Sequence, residues 1–185
     1  MISYLPTLRQ CAQLAAGAVP DAPPKGRYNR VTLCGADGCE LQLTIPVTGG
    51  INAVKHGDPH SWHCADDKTW RHRHLGAINA AYGRTPFFQH FFPEIEAVIA
   101  DTSETSVKAL NARLYAAMEE FMQLRRLMPQ LATGNVETHR KVAAELFDAI
   151  PAPPQGVSAL HYIFHLGPEA AICALAPLLN YTKTQ

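Results

Sequence analysis

The sequence predicts a mixed α/β fold of the α+β kind: a small β-sheet or hairpin in the N-terminal third and a mainly helical C-terminal part. Three observations carry that expectation. Apolar and polar residues alternate on either side of a short turn between Val31 and Val47. Beyond Asp66, apolar residues recur at three- and four-residue intervals, the period of one helix face. The 185 residues, 47% of them apolar, are enough for one good-sized core, so residues 1–185 are read as one domain.

Taken in order, Tyr4 to Val19 reads as a short helix after a Leu5-Pro6 start, with Leu8, Cys11, Leu14 and Ala15 on one face. Pro20, Pro23, Pro24 and Gly26 then break regular structure. VTLCG and CELQLTIPV flank Ala36-Asp37-Gly38, whose Asp-Gly pair favours a hairpin turn. Leu41, Leu43 and Ile45 alternate with Gln42 and Thr44, so this arm buries one face, and Gly49-Gly50 closes it. Asp66 or Asp67 is expected to cap a helix through Trp70, His74, Ile78 and Tyr82, ended by Gly83. Thr85 before Pro86 is expected to start the next helix, with Pro93 interrupting it. Leu110, Leu114, Met118, Phe121 and Leu124 or Arg125 mark a long amphipathic helix from Ser106 to Leu127. A shorter helix covers Glu137 to Ala149. IPAPPQG is a rigid break before a final apolar pair of helical segments.

Sixteen basic residues balance sixteen acidic ones, so no global charge recruits nucleic acid or an anionic membrane. Five cysteines at irregular spacing, no basic leader and no apolar run of membrane-spanning length predict a cytoplasmic protein with reduced thiols.

Three groups of residues carry chemistry. His56, His60, His63, Cys64, His72 and His74 make a candidate metal cluster, but Gly57, Asp58 and Pro59 argue against a helix that would align the first of them. A metal-dependent hydrolase using His60, His63 and Cys64 is the least favoured reading, and no metal ligands are assigned. Cys34 or Cys64 beside a histidine, or Ser158, is a candidate nucleophile, whereas Cys11 and Cys173 fall on apolar helix faces. The third is an anion pocket. Arg71, His72, Arg73 and His74 crowd the first turns of one helix, where cations oppose the macrodipole unless something negative meets them. Arg71 is suited to bidentate contact with a phosphate or carboxylate, Trp70 or Tyr82 to covering an apolar part, and Arg30 to completing the site. The alternative is surface pairing of the arginines with Asp66, Asp67 or Glu94.

RYNRVTLCGADGCELQLTIPV, WRHRHLGAINAAYGRTPFFQHFFPEIEAVI and GVSALHYIFHLGPEAAICAL together resemble three blocks of the WbqC-like protein family. Asn29 and Arg30, Trp70 and His74, and Ala81, Tyr82, Thr85, Pro86, Phe87 and Phe88 match in order, as do Ser158, Phe164 and Gly167 through Ala170. The resemblance places His161 and His165 where members usually carry Asp and Asn, and keeps only Tyr4-Leu5-Pro6 of an N-terminal Gln-Pro-x-Tyr-x-Pro segment. It implies a role in bacterial surface-glycan assembly of the O-antigen kind, as a transferase. On that reading Arg30 and Arg71 neutralise an anionic or nucleotide-sugar substrate, Asn29 and Tyr82 orient it, Trp70 covers its apolar part, and His74 is the general acid or base. The rival class is a non-catalytic scaffold in a complex with glycan-assembly proteins, for which PFFQHFF would supply the surface. The sequence names no cofactor.

Overall fold

The computed structural model describes residues 2–18, 27–65, 69–133 and 135–178. The chain begins with an irregular segment in which Leu5 takes a positive φ of 45° ahead of Pro6. Thr7 then caps helix α1 (Leu8–Ala15), its hydroxyl accepting from the Gln10 amide while the Gln10 side chain accepts from the Thr7 amide. That reciprocal cap sets the start four residues later than the apolar pattern suggests.

Strands β1 (Arg30–Cys34) and β2 (Glu40–Thr44) pair antiparallel, Arg30 opposite Thr44 and Cys34 opposite Glu40. Gly38, at φ 80°, makes the expected turn. Alternation sends Val31, Leu33 and Leu43 inward. Arg30, Thr32 and Cys34 share the other face with Glu40, Gln42 and Thr44. The outer edge of β1 is closed rather than left open, because the Ser158 amide donates to the Thr32 carbonyl at 2.9 Å and the Cys34 amide to the Tyr82 hydroxyl at 3.0 Å.

Helix α2 (Gly50–His56) follows, where the glycines had suggested only a loop end; it has no fully buried residue. Residues 62–65 are held between 46–48 and 105–107 by single bridges, Val47 with Cys64 and His63 with Ser106. Helices α3 (Thr69–Tyr82), α4 (Phe88–Ala100), α5 (Val107–Met122), α6 (Leu124–Thr133), α7 (Val136–Asp148), α8 (Leu160–Leu166) and α9 (Ala170–Leu175) make the rest. The expected Asp66 or Asp67 cap of α3 lies outside the described residues.

Three expectations are corrected. Pro86 is not the first residue of α4: Thr85 and Pro86 form a turn in which the Thr85 hydroxyl donates to the Tyr82 carbonyl, and the helix starts at Phe88. Nor does Pro93 interrupt α4, which runs through it because Phe88, Phe91, Ile95 and Ile99 hold one side in the core. The long helix expected to Leu127 divides at Gln123, whose φ of 52° ends α5 before α6 begins. Among the described residues, one core cluster takes side chains from the N-terminal segment, the hairpin and α3 to α9.

Candidate functional site

Helix α3 carries most of the expected site residues on a single stripe. Trp70, Arg71, His74, Ile78 and Tyr82, at the spacing of one helix face, are all buried. Each polar member meets a partner inside the molecule.

Arg71 is 8% exposed; its Nη1 donates to the Ile99 carbonyl at 2.6 Å and its Nη2 to the Glu104 carbonyl at 2.7 Å. Its guanidinium carbon lies 4.6 Å from the centre of the Trp70 ring. Ile99 is the penultimate residue of α4, so the cation sits on the negative end of that helix. The negative partner that basic residues at the start of α3 demand is thus, for Arg71, supplied from within the chain.

His74 is 4% exposed, with Nδ1 2.9 Å from the Tyr4 hydroxyl and its ring edge-on to Trp70. Burial pulls its pKa down to about 4, against a hydrogen bond to the Thr44 backbone, so the imidazole is neutral near pH 7. Tyr82 is 1% exposed, and its hydroxyl is spent on the edge of β1. Asn29 is buried as well; its Nδ2 donates to the Ile45 carbonyl at 2.9 Å, while Oδ1 has no partner among the described residues. Arg30 differs from the other five. It is exposed, on the polar face of the hairpin, and makes no ion pair or side-chain hydrogen bond among the described residues.

The histidine-rich segment does not converge. His56, His60, His63 and His72 are exposed, Cys64 and His74 are buried, and among the described residues no group of three or more His, Cys, Asp or Glu is placed to hold a metal ion. All five cysteines are free. Cys34 and Cys39 lie on opposite faces, since Cys34 is across from Glu40. Burial raises the Cys64 thiol pKa in spite of the Arg71 cation, which disfavours the thiolate a nucleophile needs. Cys11 and Cys173 are core residues, as their positions on apolar faces predicted.

Beside Tyr82 lies a pair that reading by residue chemistry passed over. His161 and His165 stand one turn apart on α8 with ring centroids 4.5 Å apart, and the Tyr82 ring meets both edge-on at 6.0 and 6.2 Å. His161 is 1% exposed; Nε2 is 2.9 Å from the Pro151 carbonyl, and Nδ1 is buried without a partner among the described residues. Its pKa falls to about 4 through burial, with the Pro151 carbonyl working against the shift and His165 with it. His165 is partly exposed and sets Nδ1 2.7 Å from the His161 carbonyl. The i, i+4 spacing in HYIFH was the available signal.

A small antiparallel hairpin packed on helices, with buried polar groups tying the two together, gives an α+β fold in which the three sequence blocks meet in the interior. The model of the WbqC-like protein family matches residues 23–171, and the chain belongs to that family. The family is linked to polysaccharide biosynthesis gene clusters. No curated protein and no solved structure matches the chain. Among the described residues, no helix is long and apolar enough to cross a membrane.

Proposed function

We propose that the protein is a transferase-type enzyme of bacterial surface-polysaccharide assembly that binds an anionic, sugar-linked small molecule of the nucleotide-sugar kind. Arg30 carries this reading. It is the exposed cation among the expected contact residues, and it projects from a polar hairpin face with Thr32 and Thr44 beside it. A guanidinium with no internal partner among the described residues is free to meet a phosphate in bidentate geometry.

The other expected contacts act by holding that face in place. Asn29 ties the start of β1 to the end of β2, Tyr82 fixes the Cys34 end, and His74 joins α3 to the N-terminal segment through Tyr4. Trp70 and Arg71 lock α3 to the end of α4. In this reading His74 is a positioning residue. The scaffold alternative drew on PFFQHFF, but Phe88 and Phe91 are buried, Phe87 and Phe92 are partly so, and Phe88 stacks on Phe92 at 4.5 Å. Within that run Phe88 and Phe91 belong to the core, while Pro86, Gln89 and His90 are exposed.

Calorimetric titration with a panel of nucleotide-sugars tests the proposal. Arg30→Ala is expected to weaken binding of the best member at least tenfold, roughly the 1.4 kcal/mol of one charge-assisted contact. No binding by the wild type, or equal binding by the variant, would overturn it.

A further inference from the structure

We infer that the paired imidazoles of His161 and His165 recognise a hydrogen-bond donor, a hydroxyl or amino group, on the sugar part of the ligand. This rests on the reading that Arg30 meets the anionic part.

The hydrogen bonds fix both rings. His161 Nε2 faces the Pro151 carbonyl at 2.9 Å, so that nitrogen carries the proton and Nδ1 keeps a bare lone pair. His165 Nδ1 faces the His161 carbonyl at 2.7 Å, so it carries the proton there and Nε2 keeps the lone pair. Two acceptors therefore stand on adjacent rings, tilted 46° to one another. One of them, His161 Nδ1, is fully buried with no donor among the described residues to satisfy it. Leaving such an acceptor unpaired costs stability, a cost that a hydroxyl or amino group arriving at the His165 side of the pair would offset. The partial exposure of His165 gives a ligand its approach.

The position of the pair fits the same ligand. Tyr82 packs against both rings and bonds the Cys34 amide, so the imidazoles stand at the Cys34 end of β1, with Arg30 at the other. Four residue steps along the strand lead from Arg30 to Cys34, about 13 Å at about 3.3 Å per step. A donor at one end and an anion at the other describe a sugar joined to a phosphate-bearing group. Bare lone pairs suit neither a phosphate nor a carboxylate, which are themselves acceptors.

The test compares UDP and dTDP with the same nucleotides carrying glucose or glucosamine, by calorimetry at pH 7.5. His165→Phe keeps an aromatic ring and removes the Nε2 acceptor, and the His161 carbonyl stays in the helical ladder of α8. Affinity for the sugar-bearing probes should fall about tenfold in this variant and that for the free diphosphates should not change. Arg30→Ala should weaken both sets. If His165→Phe binds the sugar-bearing probes like wild type while Arg30→Ala weakens them, the imidazole assignment is overturned and the Arg30 reading survives. If wild type binds none of the probes, both fall. Imidazole ¹⁵N shifts give a readout independent of binding: the free protein should show a protonated Nε2 on His161 and a protonated Nδ1 on His165. The opposite tautomer on either ring would also overturn the inference.

Discussion

At the residue scale, similar side chains separate by environment. Arg30 and Arg71 are both readable as anion contacts from the sequence. Arg71 is buried and satisfied by two carbonyls, whereas Arg30 is exposed without a partner among the described residues. Removing a buried cation's two hydrogen bonds leaves two carbonyls unpaired, at roughly 1.5 kcal/mol each. Arg71→Ala should therefore lose about 3 kcal/mol of stability in urea unfolding, and a loss below about 1 kcal/mol would show that those bonds do not hold α3. The buried histidines give a second expectation. His74 and His161 both have pKa values near 4, below the ordinary 6.5. The unfolded chain binds their protons first, so the stability they leave intact is complete above pH 6.5 and declines as pH falls toward 4. Two protons set a maximum slope of about 2.7 kcal/mol per pH unit. Asp101, held down to about 2 by Ser103 and Arg113, loses its contribution only below its ordinary 3.8 and stays outside that window. Urea midpoints from pH 7.5 to 4.5 should drop accordingly; a flat profile would mean that these imidazoles are not buried neutral.

At the element scale, what was legible followed from local chemistry. The hairpin was readable from Asp37-Gly38 and the Leu43-Ile45 alternation. The α3 stripe was readable because Trp70, His74, Ile78 and Tyr82 recur at four-residue intervals. Local rules failed where tertiary packing decides. Pro93 forfeits one helical bond, but the Phe88–Ile99 face buries enough apolar surface to carry α4 through it. Gln123 carries no turn signal in its sequence. The site was half legible for a related reason: spacing says that Arg71 and His74 share a face, not that this face meets α4 and Tyr4. Glycine contrasts test how elements are joined. Gly167 ends α8 at φ 61°, and a Cβ there would lie 2.5 Å from the Phe87 ring, within the core joint between α3, α4 and α8. Gly167→Ala should cost about 2–4 kcal/mol from backbone strain and overpacking together. Gly156, at φ 74°, faces the end of the Arg27 side chain, which can swing away. Gly156→Ala should cost about 1–2 kcal/mol, the backbone part alone. Equal losses in thermal unfolding would contradict the packing assigned to Phe87.

At the scale of the whole molecule, the N-terminal segment is bonded to residues of the family match, which begins at residue 23. Tyr4 bonds His74, Asn111 Nδ2 donates to the Ile2 and Tyr28 carbonyls, and the Ala159 amide donates to the Pro6 carbonyl. These bonds join the first residues to α3, α5 and the approach to α8, so the recurrent blocks build one interior. On the proposed function, the interior polar residues hold a hairpin face and Arg30 on that face meets the ligand. Measuring stability and nucleotide-sugar affinity together in Arg30→Ala and Arg71→Ala tests it most directly. Arg30→Ala should lose affinity with an unchanged unfolding midpoint. Arg71→Ala should lose midpoint, roughly 6–12 °C at about 2–4 °C per kcal/mol, while its folded fraction binds as wild type does. The reverse pattern, affinity lost in Arg71→Ala at full stability and kept in Arg30→Ala, would contradict the account and move the ligand to the start of α3.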